Sequence, residues 1–114
     1  MDISSEPLQV LIKVIAPNGL CQKLLATIRP LLGSIRSRAG CAGCHIYQDA
    51  ETPDELTLFE EWEDEASFVE HVCSKDYGYI LEWMELSVEK PEVMVCKKTE
   101  QDGIKLIKEI RRAL

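Results

Sequence analysis

The order in which strand-like and helix-like segments follow one another is the feature that most constrains this fold. Segments that are β-rich or alternate in apolarity predict strands at residues 8–15, 44–49, 56–62 and 93–96. Apolar residues spaced every three or four positions predict helices, and the capping residues Asn18, Asp64 and Asp102 indicate where three of them begin. A break after the second of these predicts a separate helical piece through Ile80 and Met84.

This order, β-α-β-β-α-β followed by one more helix, predicts an α+β fold of the ferredoxin-like type with an extra C-terminal helix. Its antiparallel sheet carries helices on one face only, so the other face needs a cover. A homodimer that buries this face is therefore expected. We expect one domain over residues 1–98, and an amphipathic helix over residues 99–114 that packs on the same domain or on its dimer mate.

The two predicted helices in the middle of the chain each have an expected buried face. For the helix after Asp64 the expected buried stripe consists of Phe68, Val69, Val72 and Cys73. For the next helical piece, the expected inward positions are Ile80, Leu81, Met84 and Val88. On the predicted strand before them, alternation places Leu56, Leu58, Glu60 and Trp62 on one face.

The charge is unevenly distributed along the chain. Of its net charge of −7, residues 49–92 contribute −13, from fifteen acidic and two basic residues. An acidic surface repels phosphate backbones, so no nucleic acid partner is expected. The beginning of the sequence does not resemble a secretory signal, and no apolar run approaches the roughly 18 residues of a membrane span. The expected location is the cytoplasm, where five scattered cysteines would remain reduced.

The pentapeptide from Cys41 to His45 has the form C-x-x-C-H, which is typical of covalent haem attachment. Because a predicted strand follows it rather than a helix, the haem interpretation and a thioredoxin-like redox interpretation are both disfavoured. A zinc site would need two further ligands, and only Cys73 or Cys96 is a candidate. The simplest interpretation is that small residues occupy the beginning of a strand, and no metal is expected.

Several short motifs in the middle of the chain together resemble the antibiotic biosynthesis monooxygenase domain. The first is similar to that family's hairpin and consists of Gly40-Cys41, Tyr47, Asp49 and Pro53-Asp54. Residues 58–65, LFEEWEDE, resemble the family's strand-to-helix junction, E-x-W-x-D/S-x-E. Phe68, His71 and Ser74 are similar to the helix that follows. The similarity extends over roughly residues 8–98.

The resemblance implies a dimeric α+β barrel with a pocket between sheet and helices in each subunit. It also implies oxidation of quinols or other phenols by O₂ without any cofactor, neither metal nor flavin. Two departures are relevant. Asp76 stands where many members have a second histidine, and haem degradation is disfavoured because the first strand has no Asn and Leu81 takes the place of the haem-ligating His.

The candidate catalytic residues are His71 and Trp62. A neutral imidazole can accept a phenolic proton near pH 7, and an indole can form the flat wall of a pocket for an aromatic ligand. Each is also a common packing residue. The further candidates for the pocket lining are Glu60, Tyr47, Tyr77 and Leu58.

Three functions remain open from the sequence. The first is a cofactor-independent monooxygenase of a small aromatic, quinol-like substrate. The alternative is a non-catalytic dimeric module of the same fold that binds a ligand or serves in stress, and a C-x-x-C redox protein is third. The basic residues of the last helix, opposite its apolar stripe, also permit contact with an anionic membrane surface.

Overall fold

A computed structural model of the chain describes residues 5–98 and 102–114. Four strands and four helices follow one another in the predicted order, which confirms the ferredoxin-like plan. The strands are β1 (Leu8–Ile15), β2 (Cys41–Gln48), β3 (Glu55–Trp62) and β4 (Glu92–Lys97). The helices are α1 (Cys21–Arg36), α2 (Glu65–Val72), α3 (Tyr77–Glu85) and α4 (Gly103–Arg112).

The four strands form one antiparallel sheet in the order β2-β3-β1-β4. In β1 and β3 every second residue is buried, as alternation along a half-covered strand requires. The inward residues of β3 are the four that the sequence placed on one face, Leu56, Leu58, Glu60 and Trp62. Together with inward residues of β1 and α1 they form one core between the sheet and the helices.

Two element boundaries differ from the sequence-based expectation. The helix expected to begin near Asn18 begins at Cys21, because Asn18 and Gly19 form a turn in which Gly19 has a φ of 82°. The strand expected from residue 44 begins at Cys41, and a bulge between Cys41 and Gly43 shifts its pairing with β3.

The buried faces of the two short helices also differ from expectation. In α2 the buried side chain is His71, whereas Val72 and Cys73 are exposed. The prediction was wrong for Val72 and Cys73, whereas Phe68 is partly buried and packs against the core. Contact with the sheet rather than periodicity decides which side of α2 is buried.

In α3 the buried residues are Ile80 and Trp83, while Leu81 and Val88 beyond the helix are exposed. Trp83 takes the central inward position because its indole N–H reaches the backbone oxygen of Leu24 on α1 at 3.1 Å. Since a buried indole N–H needs an acceptor, this hydrogen bond fixes which side of α3 packs against α1.

The edge strand β4 and the last helix are exposed in the single chain. All six residues of β4 are exposed, including Val93, Met94 and Val95. Asp102 caps α4 as predicted, accepting hydrogen bonds from two backbone N–H groups, and α4 has no buried residue. The predicted domain boundary between residues 98 and 99 adjoins residues 99–101, which lie outside the described part of the chain. Within that part, no helix has the length and apolarity needed to span a bilayer.

Candidate active site

The sheet side of the site lies on β3, where Glu60 and Trp62 occupy successive inward positions. Both side chains are fully buried, at 0% and 1% exposure. The indole N–H of Trp62 donates a hydrogen bond of 3.0 Å to Oε1 of Glu60. This bond satisfies the indole and fixes one oxygen of a carboxylate that would otherwise be costly to bury.

His71 on α2 completes the cluster from the helix side. Its Nε2 atom lies 3.5 Å from Oε2 of Glu60, and its ring lies against Trp62 with 4.8 Å between ring centroids and 31° between planes. Tyr77, at the beginning of α3, presents its ring edge-on to the imidazole at 5.0 Å. We call Glu60, Trp62, His71 and Tyr77 the histidine cluster.

Two local features hold α2 in the position that brings His71 to Glu60. Asp64 caps the helix by accepting a hydrogen bond of 2.8 Å from the backbone N–H of Ser67. Gly40, with a φ of 83°, lies directly beneath Ser67, whose Oγ would overlap a Cβ placed there. The backbone before β2 therefore approaches α2 as closely as only glycine permits.

The histidine cluster retains unused hydrogen-bonding capacity. Among the described residues, Oε2 of Glu60 and both ring nitrogens of His71 have no well-aligned hydrogen-bond partner. Nε2 and Oε2 are therefore close neighbours, 3.5 Å apart, without a well-aligned hydrogen bond between them. Buried polar atoms without partners are uncommon and costly, so these atoms are available to a bound molecule.

A narrow cleft between α1 and α3 reaches His71 from the surface. Its volume is about 10 Å³, which is room for about one water molecule. Three polar side chains line it with His71: Ser34 in the last turn of α1, Arg38 just after α1, and Asp76 before α3. The apolar lining consists of Leu31, Ile35 and Ile80.

A larger pocket of about 270 Å³ opens at one end of the sheet, beside Trp62. Glu61 and Lys98 line it and form an ion pair of 3.2 Å across its exposed side. His71 does not line this pocket. The indole of Trp62 therefore borders both the larger pocket and the imidazole.

The charge of Glu60 and the dry surroundings affect nearby titratable groups. Burial raises the pKa of the Tyr77 hydroxyl, and the Glu60 carboxylate raises it further. Burial, followed by the charge of Glu60, raises the pKa of the Cys44 thiol to about 12. Burial also raises the pKa of Cys41. Neither thiol is activated in the way that redox chemistry of a C-x-x-C pair requires.

The environment of Cys44 also argues against haem attachment at this motif. Cys44 is fully buried in the core and pairs with Glu60 across the sheet. A porphyrin bonded to its sulfur would displace the core. The described residues contain no group of three or more His, Cys, Asp or Glu side chains arranged to hold a metal ion.

The structure brings most of the sequence-predicted site residues together and separates one. Glu60, Trp62, His71 and Tyr77 are in contact, and Leu58 is buried at the inward position preceding Glu60. Tyr47 is 54% exposed on the opposite face of the sheet, where it contacts Phe59. It therefore does not line a pocket with His71, because it lies three positions after the inward-facing Cys44 and an odd offset along a strand changes the face.

Sequence reasoning missed the contribution of α1 to the cleft. Ser34 and Arg38 lie four residues apart, next to Leu31 and Ile35, which also line the cleft. The sequence did draw attention to Asp76, because it stands where many members of the resembled family carry a histidine. The structure places Asp76 in the same cleft as His71.

Comparisons with known proteins agree with this architecture. A family model described as antibiotic biosynthesis monooxygenase matches residues 7–83. This range includes the hairpin, the strand-to-helix junction and the whole histidine cluster. A search of curated proteins found no match.

Solved structures with the same fold come from distant organisms. A conserved protein of Methanosarcina mazei Go1 is 24% identical with a TM-score of 0.76, covering 83% of this chain and 95% of its own. Rv0793 of Mycobacterium tuberculosis is 23% identical with a TM-score of 0.75, and the match covers 85% of this chain and 99% of Rv0793. A structure described as an antibiotic biosynthesis monooxygenase is 17% identical with a TM-score of 0.72, covering 81% and 98%. At these identities the likeness shows a common fold.

Proposed function

The chain belongs to the antibiotic biosynthesis monooxygenase family, and on this premise we propose that it is a cofactor-independent monooxygenase of small aromatic, quinol-like substrates. The observation that carries the proposal is the buried Glu60–His71 pair against Trp62, where neither imidazole nitrogen has a hydrogen-bond partner and His71 lines a narrow cleft. Such a pair combines a proton acceptor with a fixed negative charge in a water-poor site.

In the proposed mechanism His71 accepts the proton of a phenolic hydroxyl. The imidazolium that forms is stabilised by Glu60, whose carboxylate lies 3.5 Å from Nε2. The phenolate then transfers one electron to O₂, and the two radicals combine at a ring carbon that bears hydrogen, ortho or para to the phenolic oxygen. That carbon loses its hydrogen when the O–O bond breaks and the new carbonyl forms. His71 returns the proton to the peroxide when its O–O bond breaks. Trp62 positions the imidazole, because their rings are in contact.

The balance of this reaction defines the substrate class. When a phenol with a free ortho or para position becomes a quinone, or a hydroquinone becomes a hydroxyquinone, one atom of O₂ enters the ring and the other leaves as water. The two hydrogens of this water correspond to those lost from the phenolic O–H and the ring C–H. The substrate supplies all the electrons, so the step needs no external reductant. Only an electron-rich phenol or hydroquinone gives up an electron to O₂ readily, and this requirement favours quinol-like substrates.

Substrate binding requires the cleft to open. In the structure the cleft accommodates about one water molecule, whereas an aromatic ring needs several times that volume. Opening would separate Leu31 on α1 from Ile80 on α3, and it would expose His71 to the ring. Arg38 then lies where its positive charge can stabilise a phenolate.

The same features are compatible with a second candidate function, a non-catalytic module that binds a small aromatic ligand or serves in stress. Two observations favour it: the cleft is narrow, and Asp76 replaces a histidine found in many relatives. Oxygen uptake with a panel of hydroquinones and electron-rich phenols separates the two. An enzyme incorporates ¹⁸O from ¹⁸O₂ into the quinone, whereas the binding module shows ligand affinity without oxygen uptake.

We further propose that the protein is a homodimer that buries the outer face of its sheet. This face carries Leu11, Phe59 and Met94 at adjacent register positions on three neighbouring strands. Met94 is 57% exposed in the single chain, which is unusual for an apolar residue in a sheet. A cytoplasmic location is supported by the five cysteines, all of which are free.

A further inference from the structure

The helix α4 carries an apolar face for which the single chain provides no partner. Three residues of α4 and the terminal Leu114 form one apolar stripe and are 57% to 103% exposed; the three are Ile104, Ile107 and Ile110. Leu106 beside the stripe is 36% exposed. The opposite face carries Lys105 and Arg112, with Lys108 beside it. Burial of such a stripe against an apolar surface is favourable, because it removes large apolar side chains from water.

A largely apolar groove that could accept this stripe lies between α1 and α3. It has a volume of about 260 Å³ and is lined by Thr27, Leu31, Tyr79, Glu82, Trp83 and Leu86. Tyr79 and Leu86 are 56% and 42% exposed, which is high for residues of their size. The nine residues of α3 and the ten of α4 form helices of about 14 and 15 Å, so their lengths match.

The charges of the two surfaces are complementary. Residues 103–112 contain four basic residues and one acidic residue. On the α3 side of the groove, Glu82 is followed by Glu85 and Glu89 within seven residues, and Lys90 is the only basic residue from Asp76 to Pro91. The apolar face of α4 is thus flanked by positive charge, and the apolar groove between α1 and α3 is flanked by negative charge. The two surfaces are therefore complementary in both apolarity and charge.

We propose that α4 of one copy binds the groove between α1 and α3 of a second copy. The same chain is disfavoured as the occupant, because its α4 is exposed while its own groove stands open. An anionic membrane is also disfavoured, because residues 49–92 carry a net charge of −13 and would be repelled. The inference does not depend on the proposed enzymatic activity.

The docked helix lies next to the cleft that leads to His71. Leu31 lines both the groove and the cleft, so a helix seated in the groove contacts one wall of the candidate site. Each copy thereby supplies part of the surroundings of the other copy's site.

Cysteine cross-linking between two differently tagged copies tests this arrangement. Both copies carry Cys73→Ser and Cys96→Ser, which remove the exposed thiols. One copy carries Ile107→Cys on the apolar face of α4, and the other carries Leu86→Cys in the groove. The matched control replaces Ile107→Cys with Lys105→Cys on the opposite face of α4. Circular dichroism confirms that all variants are folded.

Under mild oxidation we expect a disulfide-linked dimer that contains both tags, formed at least tenfold faster with Ile107→Cys than with Lys105→Cys. Glu82→Lys in the groove copy should slow this cross-linking several-fold at low salt. Equal rates for the two α4 positions, or no cross-link, would overturn the proposal.

Two further measurements identify the other possible occupants. A single chain that carries both Ile107→Cys and Leu86→Cys reports docking within one copy, if it forms an internal disulfide at high dilution. Flotation with vesicles of phosphatidylserine and phosphatidylcholine reports membrane binding. Either of these results, in the absence of the mixed dimer, contradicts docking onto a second copy.

Discussion

Oε2 of Glu60 and Nε2 of His71 lie 3.5 Å apart in a part of the molecule where neither side chain is more than 2% exposed. One belongs to the sheet and the other to a short helix, so the contact joins two layers of the fold through a carboxylate and an imidazole. A purely structural core would place apolar side chains at these positions at lower cost. The pair is therefore the feature of the core on which the proposed proton transfer depends.

Replacing Glu60 tests whether the carboxylate is needed to satisfy its neighbours. Glu60→Leu leaves the indole N–H of Trp62 without its acceptor, and we expect the free energy of unfolding to fall by about 1–3 kcal/mol. The control is Glu61→Leu on the other face of β3, where a partly exposed ion pair with Lys98 is lost at a cost of about 0–1 kcal/mol. Urea denaturation measures both. Equal losses in the two variants would show that Glu60 has no special structural role.

Gly40 provides a test of the close approach between α2 and the beginning of β2. Gly40→Ala places a Cβ on Ser67 and forces a residue with a side chain to a φ of 83°, so we expect a loss of roughly 2 kcal/mol or more. Gly33→Ala is the matched control. Gly33 lies within α1 with no atom near an added Cβ, and the substitution should stabilise the helix by about 0.5–1 kcal/mol. Thermal unfolding should move in opposite directions for the two variants.

The raised pKa of the Cys44 thiol predicts how the free energy of unfolding depends on pH. Its pKa is raised from 9.0 to about 12 in the folded protein, so the unfolded chain loses this proton first. Deprotonation therefore favours the unfolded state between about pH 9 and pH 12, and stability falls as the pH rises through this window. Cys44→Ala should reduce the slope of unfolding free energy against pH above pH 9, by up to about 1.4 kcal/mol per pH unit. Identical slopes would contradict the buried, protonated thiol.

The exposed face of the sheet predicts the oligomeric state. Light scattering should give twice the 12.9 kDa mass of one chain. Met94→Lys on β4 should produce monomers, because dimerisation would bury an unpaired charge. Val88→Lys, at an exposed site outside the sheet, should remain dimeric. A wild-type protein that is monomeric at high concentration would refute the proposed dimer.

Local patterns were enough to predict the order of strands and helices along the chain and the caps at Asp64 and Asp102. They also predicted which residues of β3 share the face that the structure shows to be inward. These features depend on residues that are close in sequence, or on a strict alternation. The outward position of Tyr47 could also have been predicted from alternation. Cys44 and Ile46 point inward, so Tyr47 points outward.

The inward orientation of His71 and the contribution of α1 to the cleft could not be predicted in this way. In α2, periodicity does not distinguish His71 from its apolar neighbours, and the contact with Glu60 across two layers decides which side faces the sheet. Ser34 and Arg38 reach the site only because α1 packs beside α3, an arrangement that Trp83 fixes through the backbone of Leu24.

The most direct test of the account is the rate of oxygen uptake by two histidine variants, with the phenol or hydroquinone that the wild-type protein oxidises fastest. His71→Gln removes the proton acceptor from the histidine cluster, and His45→Gln replaces the chain's other histidine, which is exposed on the outer face of the sheet. We predict that kcat falls by about 10²–10⁴-fold in His71→Gln and stays within twofold in His45→Gln, with both variants folded. Equal rates for His71→Gln and the wild-type protein would contradict the assignment of His71 as the base.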